Sequence, residues 1–126
     1  MNVPQDLWYT ESHEWVEIRE DGTARMGITD FAQEQLGDIV YVNLPQTGDA
    51  FAAGDVLADV ESVKTASDIY APVGGEVTAV NDELTNSPEL VNENAYEAWF
   101  VELSGVDRPE SLLTPQAYEQ LLAAEE

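Results

Sequence analysis

Apolar and polar residues alternate with a period of two along most of this chain, and each alternating run stops at a turn signal. Trp15-Val16-Glu17-Ile18 alternates until Glu20-Asp21-Gly22, which predicts a hairpin into a second strand over residues 23–28. Thr29-Asp30 then opens a short helix: Asp30 is placed to cap it, Gln33 completes a capping box, and Gly37 stands where a helix C-cap belongs. A strand over 38–44 follows, with Ile39, Tyr41 and Asn43 on one face and Val40, Val42 and Leu44 on the other, ended by Pro45-Gln46-Thr47-Gly48. Val56, Ala58 and Val60 alternate with Leu57, Asp59 and Glu61; after a turn, residues 65–71 run out to Pro72 and a break at Gly74-Gly75. Residues 76–80 read as a further strand. Ser87-Pro88-Glu89-Leu90-Val91 predicts one capped helical turn with proline at its first position. The last strand spans 99–103, setting Trp99, Val101 and Leu103 against Phe100 and Glu102. Thr114-Pro115 caps a terminal helix with Tyr118, Leu121 and Leu122 on one face.

The short connections suit antiparallel pairing rather than crossover helices. No repeat of 20–50 residues and no linker divides the chain. The expected architecture is one domain over residues 1–126, all-β with short helices, built as a small closed or sandwiched barrel. No stretch approaches ~20 apolar residues, so no membrane-spanning helix is predicted. The opening Met1-Asn2-Val3-Pro4-Gln5-Asp6-Leu7-Trp8 has neither a secretory nor a transit pattern, and a cytoplasmic location is expected. With no cysteine, thiol catalysis and Cys-type zinc sites are excluded.

Charge changes the picture most. Twenty-six acidic residues against four basic ones leave a formal net charge of −22. Disorder does not follow, because 44% of residues are hydrophobic and strand patterning is pervasive. Nucleic acid and anionic membranes are disfavoured as partners, since phosphate contacts need cations. The acid either steers a basic partner or adapts the chain to a salt-rich cytoplasm, where the Debye length falls to ~3 Å at 1 M. Its spread along the whole chain favours the second reading. No D-x-D-x-D-G loop ending in glutamate appears, so a calcium site is not read from the carboxylates.

Against this background Lys64 is the only lysine; the other cations are Arg19, Arg25 and Arg108. Arginine would supply charge equally well, but its guanidinium stays protonated, whereas a lysine amine can be acylated. Lys64 falls where two strands reverse, at Ser62-Val63-Lys64-Thr65, and a type I turn accepts Val-Lys at its centre without glycine. A hairpin tip presents the amine to a modifying enzyme and lets a tethered group visit several active sites at high effective concentration. Val56, Val60, Ile69 and Val73 are expected to hold the flanking strands. The competing reading is an ordinary surface lysine in a turn. Lone His13, between Ser12 and Glu14, is read as a structural hydrogen-bonding residue rather than a catalyst.

The run Glu61-Ser62-Val63-Lys64, followed by residues 67–77 (Ser67-Asp68-Ile69-Tyr70-Ala71-Pro72-Val73-Gly74-Gly75-Glu76-Val77), resembles the lipoyl attachment region of the glycine cleavage H-protein family. So do residues 9–15, 27–32, 36–40, 88–93 and 118–122, in one register from residue 7 to about 122. Thr65 stands where the family usually has alanine, and residues 94–99 are one shorter than usual, without the customary glycine before Trp99. The resemblance implies a lipoyl-type barrel-sandwich hybrid with a C-terminal helix and lipoate joined to Lys64 as an amide. It implies a carrier rather than a catalyst, moving an aminomethyl group from glycine decarboxylase to a tetrahydrofolate-dependent aminomethyltransferase. Dihydrolipoyl dehydrogenase reoxidises the carrier, and a lipoate-protein ligase or lipoyl transferase loads it. Glu61, Ser62, Val63 and Thr65 form the motif around the lysine; Glu61 and Ser62 are either read by the loading enzyme or shape the turn. A shuttle presenting its tip freely is expected to be monomeric. Ser12-His13-Glu14-Trp15 and the Asp30-Phe31 loop are candidates for a cleft that shelters the loaded arm.

Three relatives of the same architecture compete. Biotin carriers place methionine on both sides of the lysine, where Val63 and Thr65 stand here. Lipoyl domains of 2-oxoacid dehydrogenases resemble an Asp-Lys-Ala pattern on a smaller, linker-tethered domain. An H-like donor of lipoyl groups to other enzymes would share the same lysine and fold. From the charge reading, the fold is expected to be lost in dilute buffer; circular dichroism before and after desalting checks this, and an unchanged spectrum contradicts salt adaptation.

Overall fold

Period-two patterning produces nine strands and four helices in a computed structural model that describes residues 2–125. The strands are β1 (Trp8–Tyr9), β2 (Glu14–Ile18), β3 (Ala24–Ile28), β4 (Ile39–Asn43), β5 (Ala50–Phe51), β6 (Val56–Ser62), β7 (Ala66–Tyr70), β8 (Gly74–Val80) and β9 (Val101–Asp107). The helices are α1 (Asp30–Leu36), α2 (Glu83–Asn86), α3 (Leu90–Glu93) and α4 (Pro115–Glu125). All pairings are antiparallel. One sheet has the order β1-β2-β3-β9-β8-β5 and the other β4-β6-β7. Val42, Val60 and Ile69 of the small sheet share one core with Met26, Val77, Val101 and Leu103 of the large one. The all-β fold with short helices and a C-terminal helix is therefore the one the patterning predicts.

Several local expectations need correction. Thr29, not Asp30, caps α1: its hydroxyl accepts from the Ala32 N–H, while Asp30 is already helical and takes a bond from Gln33 Nε2 instead. In β4 the register shifts between Ile39 and Tyr41, making Val40 an extra residue. Such a bulge breaks strict alternation, so Ile39 and Val42 are buried while Val40 and Tyr41 are both exposed. A similar shift between Val56 and Ala58 turns Val56 out to solvent and buries Leu57. Val60, Ile69 and Val73 are buried as expected.

Gly74 and Gly75 do not break a strand; they begin β8. A Cβ on Gly75 would come within 2.9 Å of the Ser104 carbonyl oxygen, so glycine here permits close approach of β9. Pro88 is not the first residue of a helix. It occupies the second position of a turn closed by the Leu90 N–H on the Ser87 carbonyl, where its fixed φ fits, and α3 starts after it. Phe100 precedes β9 and is fully buried, contrary to the expected alternation, because the ladder begins only at Val101.

A second, aromatic core fastens α4 to the barrel through Leu7, Tyr9, Trp15, Tyr118 and Leu122. Tyr118 is its hub. Its ring stacks on Tyr9 at 4.6 Å, and its hydroxyl meets Thr29 Oγ1 at 2.7 Å and His13 Nδ1 at 2.8 Å. The other His13 nitrogen faces Glu125 at 3.1 Å, and the ring lies against Phe31. His13 thus joins the β1–β2 turn to α4, which is the structural role read from the sequence. Burial lowers its pKa and outweighs the opposing pull of Glu125. Tyr118→Phe keeps the stacked ring but leaves Thr29 and His13 short of a partner, an expected cost of about 1–3 kcal/mol. Thermal denaturation of the two proteins in high salt measures it.

Candidate functional site

The Lys64 hairpin is stiff up to its last pair, Glu61 opposite Ala66. Beyond it Ser62 organises the reversal. Its N–H donates to the Thr65 carbonyl at 2.7 Å, and its hydroxyl accepts from the Lys64 and Thr65 N–H groups at 3.2 and 3.1 Å. A side-chain oxygen thus takes the bond that a type I turn gives to the Ser62 carbonyl. From the side, the Val63 N–H donates to the Asp38 carbonyl at 3.0 Å, tying the tip to the α1–β4 connection. Glu61, Val63, Lys64 and Thr65 are all exposed.

Lys64 lies along the end of α1, with Nζ 3.4 Å from the Gln35 carbonyl. That is a long, weak bond, of the kind a helix C-terminus offers a cation. The resting place depends on Gly37, whose φ of 81° and ψ of −158° lie in a region essentially restricted to glycine. A Cβ there would stand 2.8 Å from Lys64 Cε. Asn92 of α3 pins this loop: its Nδ2 donates to the Gly37 carbonyl and to Gln33 Oε1, and its Oδ1 accepts the Ile39 N–H at 2.8 Å. Glycine at 37 was legible as a cap. Its role beneath the lysine, and that of Asn92, had no sequence signal of their own.

The other cations are already engaged. Arg19 pairs with Glu17 and Glu102, Arg25 with Glu102 and the face of Trp99, and Arg108 lies over Trp8. Among the described residues Lys64 has no carboxylate within ion-pair distance. Nor do these residues hold a group of three ligands suited to a metal ion, or a helix long and apolar enough to cross a membrane.

The cleft candidates separate. Ser12 and Glu14 line an open cleft of about 290 Å³ together with Tyr70, Ala71, Pro72 and Leu112, at the opposite end of β7 from the hairpin tip. Glu14 is buried, and burial raises its pKa against hydrogen bonds from the Ser12 and Thr10 hydroxyls, both at 2.6 Å. Trp15 instead bonds the Ala95 carbonyl and borders another depression, while His13 and Phe31 belong to the α4 contact.

The model of the glycine cleavage H-protein family matches residues 7–125. The chain belongs to that family. It is 55% identical over 120 residues to a glycine cleavage system H protein of Ralstonia nicotianae, covering 94% of each chain. To that of Listeria monocytogenes it is 51% identical over 125 residues, covering 97% of this chain and 99% of the relative. The crystal structure of a glycine cleavage system H protein from Mycobacterium marinum superposes with a TM-score of 0.90 at 36% identity, covering 96% and 99% of the two chains. As in that H protein, the fold is a pair of antiparallel sheets, and here it carries the exposed lysine at one hairpin tip. Gly37→Ala is expected to cost about 1–3 kcal/mol through its backbone alone, and to displace Lys64 from the Gln35 carbonyl. Thermal denaturation reads the first effect, and the NMR shifts of the Lys64 side chain read the second.

Proposed function

We propose that this H-protein family member is a one-domain carrier that bears lipoate as an amide on Lys64 Nζ and shuttles an aminomethyl group in glycine cleavage. The observation that carries this is one amine held at a hairpin tip, exposed and, among the described residues, without a carboxylate partner, while the three arginines are all engaged. Lipoate fits the site, because Lys64 is parked loosely on the Gln35 carbonyl, an amide nitrogen keeps one N–H for that contact, and nothing encloses the tip. The attached group supplies a disulfide that accepts a one-carbon unit and electrons. The chain supplies position.

Ser62 and the Asp38 carbonyl fix the base of the arm, so that its free end sweeps a defined volume. Ser62 shapes the turn; Glu61, exposed beside it, is available to a loading enzyme. The Ser12–Glu14 cleft suits the loaded end of the arm. There the Glu14 carboxylate would accept a hydrogen bond from a cationic nitrogen at the end of the arm, beside the apolar Ala71, Pro72 and Leu112. The partners are the glycine decarboxylase, the aminomethyltransferase, the dihydrolipoyl dehydrogenase and a lipoate-attaching enzyme, meeting a monomeric carrier in the cytoplasm. Catalysis belongs to them.

Incubation with a lipoate–protein ligase, ATP and lipoate in high salt tests the site. The expected intact mass rises by one lipoyl amide in the unaltered chain and not in Lys64→Arg. No rise in a folded sample refutes attachment at Lys64. Glycine–carbon dioxide exchange with the decarboxylase then tests the shuttle.

A further inference from the structure

The small sheet leaves five large apolar side chains in solvent: Val40, Tyr41, Val56, Val63 and Tyr70. They fall into two groups. Val56 and Tyr70 are cross-strand partners at the far end of the β6–β7 hairpin. Val40, Tyr41 and Val63 gather at the Lys64 end, 53%, 45% and 66% exposed. Tyr41 lies opposite Glu61, and Ile39 opposite Ser62, which places the Val40 bulge directly beside the turn. The Val63 N–H on the Asp38 carbonyl closes the group from the other side.

A regular strand would turn Val40 and Tyr41 to opposite faces. The bulge alone turns both outward. Two adjacent apolar residues exposed by an irregularity are a surface that folding by itself does not require, since an unbroken alternation would bury one of them. Bulges commonly re-aim side chains beside functional sites.

From this juxtaposition we infer that Val40, Tyr41 and Val63 form the docking surface for the enzyme that attaches the lipoyl group to Lys64. The inference rests on the attachment at Lys64 proposed above and identifies what surrounds it. Reach decides the occupant. To form the amide, the Lys64 ammonium first gives one proton to solvent; Nζ then gives its lone pair to the activated acyl carbon as the acyl–phosphate oxygen bond of a lipoyl adenylate breaks, AMP departs and a second proton leaves the nitrogen. The attaching enzyme must therefore close on the base of the arm, where this patch lies. Enzymes that use the finished arm act on its distal end, away from this base. Charge defines the partner surface further: Asp38, Glu61 and Asp68 are exposed around the patch in a chain of net charge −22, so an apolar contact bordered by lysine or arginine is complementary.

The test follows initial rates of lipoylation by intact mass, with a lipoate–protein ligase, ATP and lipoate, over a range of carrier concentrations. Four proteins are compared in high salt, with folding checked by circular dichroism: the unaltered chain, Val40→Ser/Tyr41→Ser, Val63→Ser and the control Val56→Ser, exposed at the far end of the hairpin and outside the Ser12–Glu14 cleft. Loss of an apolar anchor of this kind lowers kcat/KM by about tenfold. That loss is expected in the double variant through a raised KM, and in Val63→Ser in the same direction, with the control within about twofold of the unaltered chain. Rates equal to the unaltered chain in the double variant, or an equal loss in the control, overturn the docking surface while attachment at Lys64 stands. Absence of any mass gain in the unaltered chain refutes the attachment and the docking surface together. Val63→Ser decides the matter should the double variant not fold.

Discussion

Everything at the hairpin tip depends on burial of one face of the three-stranded sheet against the six-stranded one. Val42, Val60 and Ile69 are inaccessible or nearly so, packed with Met26, Val77 and Leu103. Each such side chain stabilises the sandwich by about 1.5–3 kcal/mol relative to an exposed one. Because the β6–β7 pair is held along its length, the turn at 62–65 is a fixed point, and the only long lever arm is the Lys64 side chain. A carrier needs this division. A mobile hairpin would spread the arm over a larger volume and lower its effective concentration at each station.

Electrostatics reinforces the division. The arginines are absorbed by Glu17, Glu102 and the faces of Trp8 and Trp99. These contacts hold the large sheet and its edges, far in sequence from the tip. Lys64 remains, resting on a helix-end carbonyl, a partner that an amide can retain. The surrounding carboxylates keep like-charged copies apart and favour partners of opposite charge.

The second core answers a different requirement. α4 packs on the barrel outside the main core, held by aromatic packing and by the polar contacts of Tyr118 with His13 and Thr29. The Thr29 hydroxyl also caps α1, and α1 carries the Gln35 carbonyl and the Gly37 loop on which Lys64 rests. The C-terminal helix and the functional tip are therefore linked through one hydroxyl and one short helix.

Much of this protein was legible in its sequence because the signals were local. Alternation marked most strands, Gly37 marked a helix end, and a single lysine among 26 acidic residues marked the proposed attachment position, with the surrounding motif marking the family. Where the reading failed, the cause was a contact from elsewhere. Bulges at Val40 and Leu57 broke the alternation, close passage of β9 drew Gly74 and Gly75 into a strand, and Pro88 served a turn rather than a helix start. The sequence by itself determined the class of fold, the hairpin and the identity of its lysine, since these rest on residues within a few positions of one another. Only the tertiary structure decided the resting place of the arm, the exposed pair Val40 and Tyr41, and the Tyr118 hub. Those depend on residues such as Gln35 and Lys64, or Thr29 and Tyr118, that lie 29 and 89 positions apart and meet only once both sheets have closed on their core.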